Sequence, residues 1–396
     1  MSMNETPRGE RLHIGFFGRR NAGKSSLVNA FTNQNLSVVS DVAGTTTDPV
    51  LKAMELLPLG PVTIIDTPGF DDEGDLGALR VEKTREILAK TDIAVLVADA
   101  TLGILNVEET LISLFKEKNI PYIIVMNKID LAPEAVYENA VKVSAKDKTN
   151  LETLREAIAN LNPQTEEKRI VSDLLKKGSV AVLVTPIDKA APKGRLILPQ
   201  QQTIRDLLDN GNVVVVCKET ELEQILDTLK QKPDIVICDS QVFELVAKIV
   251  PDDVLLTSFS ILFARYKGFL EEAVKGVATI KNLRNNSKIL ISEGCSHHRQ
   301  CGDIGTQKIP EWIRRYKNKE FDIEFSSGGT FPQDLKCYDL IIHCGGCMLN
   351  EREMKSRVER AKEQGIPITN YGILIAFLNG ILKRSIKIFP DLYKLL

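Results

Sequence analysis

Two stretches of the chain each run from apolar residues into cysteine and histidine. They are Tyr338-Asp-Leu-Ile-Ile-His-Cys-Gly-Gly-Cys347 and Lys288-Ile-Leu-Ile-Ser-Glu-Gly-Cys-Ser-His297. Each short apolar run predicts a buried strand that ends just before the cysteine or histidine. Ligands of open α/β folds bind beyond the carboxyl ends of strands. We therefore expect three thiols and two imidazoles to meet at one metal site.

The donors of this predicted site are Cys295, Cys344, Cys347, His297 and His343. A Cys-x-x-Cys pair alone is a weak signal, but Cys-x-His combined with His-Cys-x-x-Cys is much stronger. Three interpretations stay open: thiols without metal, zinc held by cysteine and histidine, and an iron–sulfur cluster. The cluster is favoured, because its sulfides accept backbone N–H bonds and a Gly-Gly turn supplies them. The fourth position would then fall to His297, His343, a carboxylate or water.

A second motif, Gly18-Arg-Arg-Asn-Ala-Gly-Lys-Ser25, lies near the start of the sequence. It follows a predicted strand, Leu12 to Phe17, and precedes an amphipathic run, Leu27 to Phe31, which is the context of a phosphate-binding P-loop. Backbone N–H groups of the loop and the helix start hold the phosphates. Lys24 is predicted to reach the β- and γ-phosphates, and Ser25 to bind Mg²⁺.

The next two motifs predict the rest of the phosphate and magnesium site. Asp41-Val-Ala-Gly-Thr-Thr-Thr-Asp48, which contains Thr46, is suited to closing over Mg²⁺ and the γ-phosphate. A strand from Val62 to Ile65 ends in Asp66-Thr-Pro-Gly69, where Asp66 would hold Mg²⁺ through water and the Gly69 N–H would contact the γ-phosphate. We assign the catalytic roles to Lys24, Thr46 and Gly69.

Two later motifs predict that the base is guanine. The strand Ile120 to Met126 ends in Asn127-Lys-Ile-Asp130, whose last carboxylate can accept two hydrogen bonds that guanine offers and adenine lacks. Ser144-Ala-Lys146 would contact the guanine oxygen through its backbone. The predicted nucleotide-binding residues are Gly18, Asn21, Ala22, Gly23, Lys24, Ser25, Ser26, Thr46, Asp66, Gly69, Asn127, Lys128, Asp130, Ser144, Ala145 and Lys146.

This order of motifs resembles the translation-factor-like small GTPases, most closely the branch of tRNA-modifying and ribosome-assembly GTPases. Phe70 stands where Ras-like proteins place the glutamine that orients the attacking water, so intrinsic hydrolysis is expected to be slow. Asn21 matches the asparagine that binds K⁺ in potassium-activated members, which implies a potassium-stimulated GTPase. The alternative is that Asn21 only shapes the turn.

The elements that carry these motifs predict an α/β chain of three domains. They are a P-loop GTP-binding domain at residues 11–162, a middle domain at 175–267 and a cluster-binding domain at 268–396, the last two with small parallel sheets. In the middle domain, Ser179 to Thr185, Val213 to Cys217 and Asp234 to Cys238 are strand candidates that alternate with helical runs. No catalytic pair or metal spacing occurs there, which favours an assembly surface.

Composition limits the function further. The 396 residues carry a net charge of −2, which gives no reason to expect nucleic-acid binding. No run approaches the ~18 apolar residues of a membrane span, and the polar start is not a signal peptide. The seven cysteines then indicate cytoplasmic thiols or metal ligands rather than disulfides.

The combination of features resembles the GTPase scaffold family of FeFe-hydrogenase maturation (HydF). It comprises the GTPase motifs, the middle segment Pro186-Ile-Asp-Lys-Ala-Ala-Pro-Lys-Gly-Arg-Leu196, and Cys-x-His with His-Cys-x-x-Cys. The resemblance implies a homodimer formed through the middle domain and a 4Fe-4S cluster on Cys295, Cys344 and Cys347 with an exchangeable fourth ligand. It also implies that a di-iron cargo bearing carbonyl, cyanide and dithiolate passes from two radical-SAM enzymes to apo FeFe-hydrogenase. The alternatives are a redox- or iron-sensing regulatory GTPase and a zinc-stabilised ribosome- or tRNA-associated GTPase.

Overall fold

The computed structural model describes eight segments of the chain, which group into two compact units. The described segments are residues 6–33, 50–69, 83–134, 136–161, 168–187, 196–294, 303–328 and 330–394. The first unit spans Met1–Glu166 and the second spans Glu167–Leu396. Several predicted features lie outside the described residues: the loop from Asp41 to Asp48 with Thr46, Phe70, most of the middle segment after Pro186, and Cys295 with His297.

The first unit is built on one six-stranded sheet. Its strands are β1 (Leu12–Phe17), β2 (Val50–Leu56), β3 (Gly60–Asp66), β4 (Ile93–Asp99), β5 (Tyr122–Asn127) and β6 (Ala140–Lys142). Its helical elements are Arg8–Glu10 (3-10), Lys24–Thr32, residues 83–88, Asn106–Glu117 and Leu151–Asn160. The strand order is β2-β3-β1-β4-β5-β6, and only β2 runs antiparallel to its neighbour. The P-loop GTPase fold predicted from the motifs is confirmed, although β2 and β4 were not among the predicted strands.

Helices cover both faces of this sheet, which explains its continuous apolar strands. On β1, Ile14 and Phe16 belong to one buried cluster and Phe17 to a second cluster on the opposite face. Every residue of β4 is buried, and its side chains likewise divide between the two faces. Because the strands are fixed on both sides, the loops at their carboxyl ends have defined starting points.

The second unit contains two four-stranded sheets whose strand pairs are all parallel. The strands are β7 (Val180–Val184), β8 (Val213–Cys217), β9 (Ile235–Cys238), β10 (Leu255–Ser258), β11 (Lys288–Glu293), β12 (Asp322–Ser327), β13 (Leu340–His343) and β14 (Ile368–Asn370). The orders are β10-β9-β7-β8 and β12-β11-β13-β14. The two parallel-sheet regions are as predicted, and β10 and β14 each add a strand that the sequence analysis did not identify.

The helices of the second unit are mostly short. The α-helices are Leu198–Asp209, Leu222–Thr228, Phe243–Ile249, Phe259–Tyr266, Leu270–Val277, Ile309–Lys317, Glu351–Glu363, Tyr371–Leu378, Leu382–Ser385 and Pro390–Tyr393. The 3-10 turns are Ser172–Leu174, Glu219–Glu221, Ser240–Val242 and Ala278–Asn282, and Ile304–Lys308 is π-helical. One hydrophobic cluster includes residues of both sheets and of the helices beside them. The domain boundary near residue 268 therefore stays a prediction.

No helix within the described residues combines the length and the apolar character needed to cross a membrane.

Candidate functional site

The P-loop begins directly after β1, and its glycines are required by close contacts. Gly18 has a φ of 144°, and a Cβ there would lie 2.1 Å from the carbonyl oxygen of Val97. Gly23 has a φ of 84°, and a Cβ there would lie 2.3 Å from Nδ2 of Asn127. Between them, Asn21 is exposed and has a φ of 62°, in the left-handed region that asparagine tolerates. The loop therefore packs closely on the strands and on the later guanine motif.

Helix Lys24–Thr32 starts at the predicted phosphate-binding residues. Gly23 caps it without a side-chain hydrogen bond, so the first-turn N–H groups of Ser25 and Ser26 are presented by backbone alone. Lys24 is buried, and its Nζ donates to the carbonyl oxygen of Arg19 at 2.8 Å. A helix N-terminus with a lysine held against the loop has the chemistry of an anion site.

Asp66 and Gly69 follow β3 beside the P-loop. Asp66 is fully buried and pairs in register with Phe16 of β1. A Cβ at Gly69 would lie 2.8 Å from Cα of Arg20, so this position needs glycine to approach the P-loop. Within the described residues, Ser25 and Asp66 supply the hard oxygen donors that fit Mg²⁺. The third predicted magnesium and phosphate residue, Thr46, lies outside them.

The guanine motifs are connected to the P-loop by one side chain. Asn127 is buried at the end of β5; its Nδ2 donates to the carbonyl oxygen of Ala22 at 3.0 Å. Its Oδ1 accepts the N–H of Ala145 at 3.1 Å. The hydroxyl of Ser144 donates to Oδ1 of Asp130 at 2.8 Å, and Lys146 is exposed in the following turn. The structure thus brings the P-loop, the Asn127–Asp130 motif and the Ser144–Lys146 loop together.

Three charged contacts near this site were missed by the sequence analysis. Lys128 Nζ contacts Oδ2 of Asp99, the last residue of β4, at 2.7 Å. Nε of Arg19 lies 3.5 Å from Oε1 of Glu108, a fully buried carboxylate. Lys52 on β2 is buried, and burial lowers its pKa while Asp66 opposes that change. In each contact one residue belongs to a motif, but Asp99, Glu108 and Lys52 do not, so these three had no signal in the sequence.

The candidate metal site lies at the carboxyl edge of the β12-β11-β13-β14 sheet. Cys344 directly follows β13, and its N–H donates to the carbonyl oxygen of Ser292 on β11 at 2.9 Å. Its Sγ accepts the N–H groups of Gly294 at 3.0 Å and of Gly346 at 3.4 Å. Two backbone donors stabilise a thiolate in the same way as they stabilise cluster sulfur. Cys295, which follows Gly294 in the sequence, lies outside the described residues.

Cys347 is the second described cysteine of this edge. Burial raises the pKa of its thiol, and the ammonium of Lys267 acts in the opposite direction. Lys267 is itself buried, and its Nζ donates to the carbonyl oxygen of Leu349 at 2.8 Å. In the part of the chain that the structure describes, no group of three or more histidine, cysteine or acidic side chains is gathered to hold a metal ion. The predicted site needs Cys295 to complete it.

His343, a predicted candidate for the fourth ligand, is enclosed in the sheet. It is fully buried at the end of β13, between Ser292 and Asn370 on the neighbouring strands. Its Nδ1 lies 2.8 Å from the carbonyl oxygen of Cys344, and its Nε2 lies 3.1 Å from a guanidinium nitrogen of Arg357. Burial, reinforced by Arg357, lowers the pKa of His343 to about 3.

A carboxylate and a phenol complete the described surroundings. The hydroxyl of Tyr371 donates to Oε1 of Glu293 at 3.2 Å. Burial, with the Cys344 thiol and Glu293 nearby, raises the pKa of Tyr371 well above its ordinary value. Glu293 lies in the Lys288–His297 stretch, whereas Tyr371 and Arg357 lie on helices without a motif and Lys267 follows the helix Phe259–Tyr266.

Three protein-family models match the chain. The model of the hydrogen maturase F dimerization domain matches residues 170–268, and that of the hydrogen maturase F tetramerization domain matches residues 271–388. A 50S ribosome-binding GTPase model matches residues 13–128. The two hydrogen maturase F models together cover more than half of the chain and lie in the second unit.

The relatives found by sequence share the GTPase region. The tRNA modification GTPase MnmE of Desulforamulus reducens is 34% identical over 163 residues, which are 38% of this chain and 35% of that protein. GTPase Der of Wolinella succinogenes is 32% identical over 184 residues, 42% of this chain and 39% of that protein. The chain thus spans less than half the length of these curated relatives.

A solved structure of an Era variant from Aquifex aeolicus, bound to GDP and AlF4⁻, matches 55% of this chain and 98% of its own at 20% identity. Its TM-score is 0.35, so the assignment of the fold rests on the strand order given above and not on this likeness.

With both hydrogen maturase F models matching the second unit and a GTPase model matching the first, the chain belongs to the hydrogen maturase F (HydF) family.

Proposed function

We propose that this protein is a GTP-hydrolysing scaffold that holds a 4Fe-4S cluster and carries the di-iron precursor of the hydrogenase active site to apo FeFe-hydrogenase. The observation that carries the proposal is the thiol of Cys344, which receives two backbone N–H groups at a strand edge within a hydrogen maturase F domain. Such a thiol is prepared for a soft metal rather than for packing.

The cluster would be held by Cys295, Cys344 and Cys347. Glycine N–H groups stabilise the negative charge of the Cys344 sulfur, and the buried ammonium of Lys267 favours the thiolate of Cys347. When bound, a cluster with three thiolate ligands supplies one iron whose remaining coordination position can exchange. An exchangeable position suits a carrier, because a saturated site could not accept an incoming bridging group.

The first unit would bind and hydrolyse GTP with Mg²⁺. Lys24 and the helix start supply positive charge to the β- and γ-phosphates, Ser25, Thr46 and Asp66 hold the metal, and the Gly69 N–H contacts the γ-phosphate. Asp130 selects guanine. We further propose that hydrolysis is slow and stimulated by K⁺ beside Asn21, since Phe70 occupies the position of the water-orienting glutamine.

Oligomerisation would use the edge of the middle sheet. β8 is an edge strand of sequence Val-Val-Val-Val-Cys, and Val213 and Val216 are 51% and 43% exposed. Leu208, on the preceding helix, is 54% exposed. An unpaired, apolar edge strand is a template for pairing with another chain. This supports a homodimer formed through residues 170–268, the range matched by the dimerization model.

Within the cell, the proposal places the protein in the cytoplasm between two radical-SAM enzymes, which would supply the cargo, and apo FeFe-hydrogenase, which would receive it. The test is transfer. Protein loaded by the two enzymes is purified, mixed with apo-hydrogenase and assayed for hydrogen evolution, with Cys344→Ala as the comparison. Activation by the wild type and not by Cys344→Ala supports the carrier function. A cluster that changes the rate of GTP hydrolysis without any activation would favour a sensing GTPase.

The dimer has its own test. Val213→Lys should shift the protein to a monomer in sedimentation or light scattering, because an edge lysine blocks strand pairing. Val136→Lys is the matched control, since Val136 is 83% exposed but lies in the first unit. A Val213→Lys protein that stays dimeric would place the interface elsewhere.

A further inference from the structure

The contacts of His343 determine which of its nitrogens carries the proton. A carbonyl oxygen can only accept a hydrogen bond and a guanidinium can only donate one. Nδ1, at 2.8 Å from the carbonyl oxygen of Cys344, must therefore carry hydrogen. Nε2, at 3.1 Å from the guanidinium of Arg357, must accept. The ring is neutral, has one tautomer and uses both nitrogens within the protein.

Arg357 is held in place as firmly as the ring that it contacts. It is 3% exposed, on the helix Glu351–Glu363. One guanidinium nitrogen donates to the carbonyl oxygen of Gly328 at 2.7 Å and to Oε1 of Glu353 at 2.8 Å. The guanidinium carbon of Arg357 lies 5.2 Å from the ring centroid of Phe331. A cation with these four partners, His343 included, has one orientation available to it.

We propose that Arg357 is a positioning residue of the candidate metal site and that His343 transmits its effect instead of binding iron. The only bare nitrogen of His343 faces the guanidinium, so a metal bond there would break a buried hydrogen bond and place a metal beside a fixed cation. The Nδ1–H group holds the carbonyl of Cys344 and thus the peptide that opens the Cys344–Cys347 turn. The proposal rests on the cluster-binding function proposed above.

The far side of the same turn is also held by a buried cation. Lys267 is 2% exposed and donates to the carbonyl oxygen of Leu349, two residues after Cys347. Arg357, through His343, holds the backbone at Cys344, and Lys267 holds it at Leu349. The backbone is therefore fixed on both sides of the cysteine turn. Outer contacts of this kind set the geometry of metal ligands, and their loss typically lowers metal affinity about 10- to 100-fold.

The first experiment uses the metal-free protein and tests the tautomer. The sequence has only four histidines, so selective ¹⁵N-histidine labelling gives four imidazoles, and His343→Gln identifies the signals of His343. We expect the Nδ1–H tautomer at neutral pH, and a changed Nε2 shift in Arg357→Met. An Nε2–H tautomer, or an Nε2 shift unaffected by Arg357→Met, would overturn the proposal. This result does not depend on cluster binding.

The second experiment measures retention of the cluster after anaerobic loading. Arg357→Met combined with Glu353→Gln removes the ion pair without leaving an unpaired buried carboxylate. We expect it to release iron to a chelator about 10- to 100-fold faster than the wild type, with Arg357→Lys intermediate. The matched control is Arg360→Met, one turn along the same helix, because Arg360 contacts the carbonyl oxygens of Phe331 and Pro332. Equal release by the double variant and the control would contradict the proposal.

Pulsed electron paramagnetic resonance of the reduced, ¹⁵N-histidine-labelled cluster separates positioning from ligation. The experiment detects the coupling of a histidine nitrogen that is bonded directly to the cluster. We expect the His343→Gln variant to show the same nitrogen coupling as the wild type. A coupling that is present in the wild type and lost in His343→Gln would make His343 a ligand and contradict the proposal. If the wild type takes up no iron and sulfide, the cluster-binding function fails. The tautomer experiment then still decides whether Arg357 fixes His343.

Discussion

The nucleotide site and the candidate metal site both lie at the carboxyl ends of parallel strands, but they are assembled differently. At the nucleotide site the contacts join motif to motif, as when Asn127 bonds to Ala22 of the P-loop and to Ala145 of the guanine loop. At the metal site the cysteines are surrounded by residues without a motif, such as Arg357 and Lys267, which come from other elements of the fold.

The difference follows from what each ligand requires. A phosphate is bound largely by backbone N–H groups, so a loop of the right shape is sufficient, and glycine spacing encodes that shape locally. A soft metal site in a buried sheet edge needs its charges compensated in a low-dielectric environment. Any residue that reaches the site in space can do this, wherever it lies in the sequence.

The largest expected effect concerns cluster binding at the candidate metal site. Cys295→Ala, Cys344→Ala or Cys347→Ala should each abolish stable cluster binding, because a thiolate–iron bond dominates retention. Iron and sulfide per chain after anaerobic reconstitution give the readout. Cys337→Ala is the control, since that thiol is exposed. Full cluster content in Cys344→Ala would show that the ligands are wrongly assigned.

The next largest effect concerns guanine selection at the nucleotide site. Asp130→Asn should weaken GTP binding by about 1.5–3 kcal/mol, because hydrogen bonds to a charged acceptor are lost. Calorimetric titration with GTP, compared with ATP for the wild type, checks this. Ser144→Ala, which removes the hydroxyl that bonds to Asp130, should have a smaller effect. Equal wild-type affinity for GTP and ATP would contradict the assignment of guanine.

A smaller effect distinguishes the two interpretations of Asn21. If its side chain helps to bind K⁺, GTP hydrolysis should be about fivefold faster in K⁺ than in Na⁺ at equal ionic strength, about 1 kcal/mol in the barrier. Asn21→Gly keeps the backbone at φ 62° but removes the amide, and should abolish the difference. If Asn21→Gly still hydrolyses GTP faster in K⁺ than in Na⁺, Asn21 only shapes the turn.

The smallest effect concerns the ion pair between Lys128 and Asp99. Burial raises the pKa of Asp99, but hydrogen bonds from Lys128 and Thr101 outweigh it and leave the pKa below its ordinary value. A carboxyl whose pKa is lower in the folded than in the unfolded chain stabilises the fold at pH values above its unfolded-state pKa. This contribution is lost as the pH falls through its folded-state pKa. Asp99→Asn should therefore cost roughly 0.5–1 kcal/mol at pH 7, since Lys128 is partly exposed, and nothing in strong acid.

Native-state hydrogen exchange of the β4 amides at pH 7 and pH 4 measures this cost, because it reports local opening. The difference between wild type and Asp99→Asn should be full at pH 7 and smaller at pH 4, because the carboxyl of the unfolded chain starts to take up protons near pH ~5. A difference that grows as the pH falls would mean that Asp99 is not the ionised partner.

Much of the fold could be predicted from local pattern. The strands that precede motifs, β1, β3, β5, β11 and β13, were identified because an apolar run ended in residues with recognisable chemistry. β14 was missed because it has only three residues, and β10 because its four residues run directly into the helix Phe259–Tyr266. The apolar run from Tyr371 to Leu382 predicts a single helix, and this prediction is wrong in extent. The helix ends at Leu378, because Gly380 has a φ of 70° and the chain turns there.

The sequence by itself determined the GTPase motifs, the cysteine pattern and the α/β class, since each depends on spacing over a few residues. The tertiary structure decided which side chains surround those motifs. His343 reads in sequence as a metal donor beside Cys344, yet its burial and the approach of Arg357 from a helix 14 residues away occupy both ring nitrogens. The physical reason is that hydrogen bonding and charge compensation depend on distance in space, which only the folded chain sets.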